Sequence, residues 1–349
     1  MPRCDAVFEG GGVKGIGLVG AVAVTEDMGY EFCNVAGTSA GAIVAALVAA
    51  GYRASELRDI MRSLDYTQFK DEGLLDSIPV FGRVLSLGLE KGIYEGAYLE
   101  DWLREKLAAK GKRTFKDLII DELHDAPKYR YKLQVIAADV SRGKMLVLPR
   151  DIQDYGIAPD DLDIARAVRM SMSIPFFYEP VTLRLGGTGK ECFIVDGGVL
   201  SNFPIYLFDD GSPDPPWPTF GYLLAEQPDV VGQEVRHEVS GPFSLLASLF
   251  LTMLEAHDRM YISNGAFVRT IMIPTVGVKT TEFDLAPDRA EALYQSGVKA
   301  AEEFFRTWDF ERYKAAFRQA AEQNRREAIL TAAVARHGDL DHHTNPAVT

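Results

Sequence analysis

Ser39 lies in Gly37-Thr38-Ser39-Ala40-Gly41, a G-x-S-x-G between an apolar run and a stretch of small helix-forming residues. A serine at a sharp strand-to-helix turn is held in strained backbone, which glycines two residues to either side relieve. The helix beginning at Ala40 aims free N–H groups and the positive end of its dipole at the hydroxyl, favouring an alkoxide and the oxyanion that follows. The plainer reading is a tight turn with a packed serine. Thirty residues upstream, Val7 to Gly17 (VFEGGGVKGIG) places Gly10, Gly12 and Gly15 in the G-x-G-x-x-G spacing. A dinucleotide fold also needs an acid at the end of the second strand for the ribose hydroxyls. That strand ends in Gly37-Thr38-Ser39, and Glu31 lies at its wrong end; no Gly-Lys-Ser/Thr follows either, so a Walker loop fails. In a parallel sheet the ends of neighbouring strands lie side by side, so Gly10, Gly11 and Gly12 are expected beside Ser39 as backbone donors of an oxyanion hole, joined by the N–H of Ala40. Lys14 either contacts a phosphate or lipid headgroup or projects into solvent.

A nucleophile needs a base. Of six histidines, His337, His342 and His343 lie near the C-terminus, His124 and His237 in polar loops, and His257 in a helical stretch. His257 is the plausible triad histidine, although a packed or surface role explains it better. Asp196 ends an apolar strand in Ile194-Val195-Asp196-Gly197-Gly198. An ordinary carboxylate is a weak base for a serine hydroxyl; burial raises its pKa and makes a direct Ser39–Asp196 dyad chemically reasonable.

Together, GGGVKG, GTSAG and VDGG in this order resemble the patatin-like phospholipases. The resemblance covers residues 5 to 205 and extends to Ala138-Asp139-Val140, Ala167 to Phe176 (AVRMSMSIPF) and Asn202-Phe203-Pro204. It implies a three-layer α/β/α sandwich with a mainly parallel central sheet, a nucleophile at Ser39, a base at Asp196, an oxyanion hole at Gly10 to Gly12, and hydrolysis of lipid acyl esters through an acyl-enzyme. The alternatives are a Ser–His–Asp esterase using His257, and a non-catalytic lipid-binding protein with a vestigial site. Membrane lipids or phospholipids are the expected partners, with peripheral membrane contact.

These residues need elements to position them. Asp5–Phe8 and Glu31–Ala36 read as strands, Val13–Met28 and Ala42–Ala50 as helices stopped by Gly29 and Gly51, a succession that argues for a parallel sheet under helices. Residues 54–130 read as a mostly helical insertion, in which Leu99, Trp102, Leu103 and Leu107 share one face of Tyr98–Ala109. Strands are expected at Tyr131–Ala138, Lys144–Leu148, Phe193–Val195 and Val268–Ile273, and a helix at Asp161–Met172. The proline-rich 209–218 is a surface loop. Residues 1–335 form one domain with a helical extension at 286–335, and 336–349 is a frayed tail. Leu74 to Leu89 is either core packing or a flap that meets lipid, and Met170, Met172, Phe176 and Phe177 are either core or an acyl pocket. Ser171 and Ser173 read as caps or packing. Ser141-Arg142-Gly143-Lys144 fits S-x-x-K but falls in a strand-to-strand turn rather than at a helix start.

Composition narrows the function classes. A net charge of −13 over 349 residues disfavours nucleic acid and whole-surface binding to anionic membranes. Arg104 to Lys116 runs the other way, with six basic residues to one acid, as a solvated helix end or a headgroup patch. Cys4, Cys33 and Cys192 are too scattered for a disulfide framework and suit a reducing compartment. No metal-ligand spacing is present, and no cofactor is expected. Asp5 and Glu9 interrupt any signal-peptide core, and the most apolar segment, Ala40–Ala50, is too short to span a bilayer. A cytoplasmic or peripheral-membrane location is expected, with non-classical secretion open.

Overall fold

The computed structural model describes residues 1–64, 96–123, 128–175, 177–209, 212, 214–225, 267–280, 282 and 284–315. All six histidines, the Leu74–Leu89 segment, Phe176 and the tail from 336 lie outside the described residues.

Eight strands form one sheet: β1 (Arg3–Phe8), β2 (Glu31–Thr38), β3 (Leu133–Asp139), β4 (Lys144–Leu148), β5 (Val181–Arg184), β6 (Glu191–Asp196), β7 (Thr219–Ala225) and β8 (Thr270–Pro274). Neighbours follow the path β5-β6-β3-β2-β1-β7-β8, with β4 also on β3. The pairs among β8, β7, β1, β2 and β3 are parallel, and those made by β4, β5 and β6 are antiparallel. The fold is therefore mixed α/β around a mainly parallel sheet, as the sequence implies.

Among the described residues, six α-helices accompany the sheet: α1 (Gly15–Asp27), α2 (Ala40–Ala49), α3 (Ala54–Ser63), α4 (Ala97–Ala109), α5 (Ile164–Ser171) and α6 (Pro287–Thr307). Their buried side chains join Phe8, Val35, Val135, Tyr222 and Ile271 in one large core, so the described α-helices share one sheet face. Alternate strand residues Val7, Ala36, Ile136 and Leu223 turn to the other face. There they meet Phe203 and a 3-10 turn at Ile205–Phe208. The period of two in the strands divides these residues between the faces. Central α1 and α2 are buried almost all round, which is why they read as uniformly small and apolar.

The expected helix at 161–172 begins later, at Ile164, because Asp163 caps it by accepting from Arg166 N–H. Strands β5 and β7 were not expected. The described part of the 54–130 insertion holds α3, α4 and two 3-10 turns. In α4, Leu99, Leu103 and Leu107 are buried as the amphipathic spacing requires, and Trp102 packs partly buried beside them.

Two sheet edges meet at one point. Val135 and Ile136 of β3 pair with both β2 and β4. Ala137 to Asp139 pair with both β4 and β6. Since β4 runs unbroken along one edge of β3, β6 occupies the other edge, beyond the end of β2. β2 is parallel to β3 and β6 antiparallel, so their C-terminal ends face each other: Thr38 opposes Ile136, and Asp196 opposes the next residue, Ala137.

Candidate active site

Ser39 follows Thr38 at the end of β2 and Asp196 ends β6, so the meeting of the two strands brings both to one place. Ser39 has φ 52° and ψ −127°, a left-handed conformation that a side chain rarely adopts. Among the described non-glycine residues only Val276 shares a positive φ. The flanking glycines are required by contact. A Cβ on Gly37 would lie 2.3 Å from Gly41 O, and one on Gly41 2.4 Å from Phe8 O and Glu9 O. The second contact seats the start of α2 against the end of β1, which places the glycine loop beside the elbow. A Cβ on Gly10 would stand 3.1 Å from Ser39 Cβ.

The loop donors are not equivalent. Gly10 gives its N–H to Asn202 O at 3.3 Å, so it differs from the expectation that all three glycines are open donors. Gly11 and Gly12 donate no hydrogen bond among the described residues. Gly12 has φ +57°, and a Cβ there would meet Thr280 O at 2.1 Å. Glu9 secures the loop from below: its carboxylate accepts from Leu224 N–H and from Asn202 Nδ2, whose amide also donates to Gly10 O at 3.1 Å. Ala40 opens α2 directly after Ser39. Lys14 is only 6 % exposed, which removes the solvent-projecting reading.

Asp196 is buried and faces the elbow. Its Oδ1 accepts from Gly198 N–H at 2.8 Å, while Oδ2 is buried with no hydrogen-bond partner. Desolvation raises its pKa from 3.8 to about 7, against the opposing pull of the Ser39 hydroxyl and the Gly198 N–H. The Ser39 Oγ is thus close enough to act on this carboxyl, yet its hydrogen bond in this geometry goes to Met172 Sδ at 3.5 Å. A carboxylate poised near neutrality with one open oxygen, beside a strained serine, is chemically suited to proton transfer.

Sequence reasoning missed the contacts made by the end of α5 and the turn after it. Ser171 Oγ accepts from Ser39 N–H at 2.8 Å and donates to Ile136 O at 2.6 Å. Ser173 O accepts from Asp196 N–H at 2.8 Å, and Ser173 Oγ bonds both the guanidinium and the carbonyl of Arg169. The signal was present in AVRMSMSIPF, where two serines flank a methionine just before a proline, but a helix-end serine has too many local uses for spacing to reveal a distant partner. Met170 and Met172 are buried and Phe177 packs partly buried against the same core.

Elsewhere three of the six basic residues in the Arg104 to Lys116 run form ion pairs within the chain. Arg104 pairs with Glu100, Asp101 and Asp163, Lys106 with Glu105, and Lys110 with Glu56. Ser141 accepts from Phe193 N–H and Lys144 pairs with Asp154, so the S-x-x-K stretch is a tied turn. The three cysteines are free thiols. Among the described residues, no helix is long and apolar enough to cross a membrane, and no His, Cys, Asp and Glu group of three or more could hold a metal ion.

Comparison with known proteins assigns the chain to a family. The uncharacterized protein YqhO of Bacillus subtilis (strain 168) is 38% identical over 313 residues, covering 88% of this chain and 99% of that one. A probable lipid hydrolase, 463L of Invertebrate iridescent virus 6, is 23% identical over 214 residues, covering 57% of this chain and 61% of that one. Among solved structures, VipD of Legionella pneumophila aligns with 16% identity and a TM-score of 0.49 over 88% of this chain and 67% of that one. ExoU of Pseudomonas aeruginosa, solved in complex with SpcU, aligns with 18% identity and a TM-score of 0.45 over 87% of this chain and 53% of that one. Both scores fall below 0.5, and the fold assignment rests on the sheet itself. The patatin-like phospholipase family model matches residues 6–209, the span that holds the glycine loop, Ser39, Asp196 and the turn joining them, and on that match the chain belongs to the patatin-like phospholipases, a family of lipid hydrolases.

Proposed function

We propose that this protein hydrolyses carboxylic esters of lipids through a Ser39–Asp196 dyad, with phospholipids of a membrane surface as the substrate class. The observation that carries the reading is the meeting of β2 and β6, which sets a serine in strained backbone against a buried carboxyl with an open oxygen. Asp196 accepts the hydroxyl proton as Ser39 Oγ bonds to the ester carbonyl carbon. The N–H groups of Gly11 and Gly12, with that of Ala40, stabilise the oxyanion; removing one such donor typically costs about 10²–10³ in turnover. Collapse breaks the ester C–O bond, and the leaving alcohol takes the proton from Asp196. Water then gives a proton to Asp196 and attacks the acyl-enzyme; the acyl C–Oγ bond breaks, Asp196 returns the proton to Ser39 Oγ, and the fatty acid leaves.

The decisive experiment combines fluorophosphonate labelling with fatty-acid release from phospholipid vesicles. Wild type is expected to do both, while Ser39→Ala does neither and remains folded. Labelling without lipid turnover would redirect the reading to small esters, and a folded wild type that never labels would leave the lipid-binding alternative. His257→Ala separates the dyad from a triad: the dyad expects nearly full activity.

A further inference from the structure

Resting on the serine-hydrolase reading above, we infer that Ser171 is a positioning residue for the nucleophile: its hydroxyl fixes the backbone of Ser39 at the point where β2 and β6 meet. Ser171 is completely buried, and its hydroxyl accepts from Ser39 N–H and donates to Ile136 O. Ile136 is the β3 residue opposite Thr38, so the hydroxyl relays one more link between β2 and β3 just where β2 leaves the sheet. Ser39 O is already taken by Ala42 N–H at 2.8 Å. The Ser39 peptide is therefore held on both sides, by the first turn of α2 and by Ser171. A left-handed serine persists only when its surroundings over-determine it.

The neighbouring residues of the same turn support the assignment. Met172 Sδ receives the Ser39 hydroxyl and Ser173 O receives the Asp196 N–H. Three consecutive residues thus touch the nucleophile's N–H, the nucleophile's hydroxyl and the backbone of the base. Ser171 acts through Ser39, since its own oxygen is buried and bonded to the backbone of Ser39 and Ile136. The step that suffers without it is the approach of Oγ to the ester carbon, where a displacement of about 1 Å can cost about 10²-fold.

The test compares wild type, Ser171→Ala, Ser171→Thr and Ser171→Cys. Active sites are counted by fluorophosphonate titration, kcat and KM are measured on vesicle phospholipid per titrated site, and thermal midpoints are recorded in parallel. Ser171→Ala is expected to lose about 10- to 100-fold in kcat per site with KM within about twofold, and to slow labelling by a similar factor. Ser171→Thr, which keeps the hydroxyl, recovers most of the rate. A Ser171→Ala protein with a lowered midpoint but wild-type kcat per site overturns the proposal and leaves Ser171 as packing. Should Ser171→Ala not fold, Ser171→Cys must show an intermediate loss, and wild-type kcat there overturns it equally. Absence of labelling in wild type removes the serine-hydrolase reading and this proposal together, whereas active wild type with an unaffected Ser171 series removes this proposal alone.

Discussion

In the proposed dyad, Asp196 sets the pH behaviour of the site. Its carboxyl must be ionised to accept a proton, and burial raises its pKa from 3.8 to about 7. Turnover is therefore expected to rise through about pH 7 and to fall away below it, and a rate flat from pH 5 to 8 would contradict Asp196 as the base. The same shift acts on stability with a definite sign. Between pH 4 and 7 the folded chain binds a proton that the unfolded chain has released, so stability falls as pH rises through that window. At about 1.4 kcal/mol per pKa unit, the penalty above pH 7 has an upper end of about 4 kcal/mol. Asp196→Asn is expected to abolish turnover and yet raise the thermal midpoint at pH 8, with the gain shrinking toward pH 5. At this scale the sequence was legible where the chemistry is local: the elbow glycines and the VDGG acid announce themselves. Ser171 and the occupied N–H of Gly10 were not, because each depends on a partner more than a hundred residues away.

Among the elements, close backbone approach does the positioning. A Cβ on Gly20 would lie 2.1 Å from Tyr294 O, and one on Gly297 1.9 Å from Gly17 O, so α1 and α6 touch main chain to main chain. Gly297→Ala forces the two helices apart, and overpacking of this kind costs about 1–3 kcal/mol. At about 2–4 °C per kcal/mol, the thermal midpoint should drop by several degrees; an unchanged midpoint would show that the helices tolerate separation. In the glycine loop, Gly12→Ala combines a left-handed φ with the Thr280 clash, and is expected to reduce kcat by about 10²-fold through displacement of a proposed oxyanion donor. Strands β1 to β4 were readable from their apolar runs. β7, Thr219–Ala225, is equally apolar, but it follows a proline-rich loop that drew attention to the turn rather than to the strand after it. β5 has four residues and an exposed face, too little pattern to stand out.

For the molecule as a whole, the family match ends at 209 but the fold does not. β1 lies between β2 and β7, and β7, β8 and α6 all follow the matched span. A chain ending at residue 209 would leave the edge of β1 unpaired and the outer face of α1 bare, and is expected to be insoluble or inactive; a soluble, fluorophosphonate-reactive 1–209 fragment would refute this. The parallel sheet was visible in the alternation of strands and helices near the N-terminus. The converging ends of β2 and β6 were not, because strand order along β3 is a long-range property with no local signature.

The pairing of β1 with β7 has a consequence in time. Asp5 pairs with Thr219, so almost the first strand to leave the ribosome must wait for one made more than two hundred residues later. The glycine loop hangs from that waiting strand, and its helix α1 waits longer still, for α6. An unfinished chain thus lacks a rigid glycine loop for the proposed oxyanion site and is expected to be harmless to the membranes of the cell that makes it. Reactivity toward a fluorophosphonate during cell-free synthesis should appear only after the segment through Thr307 has been released.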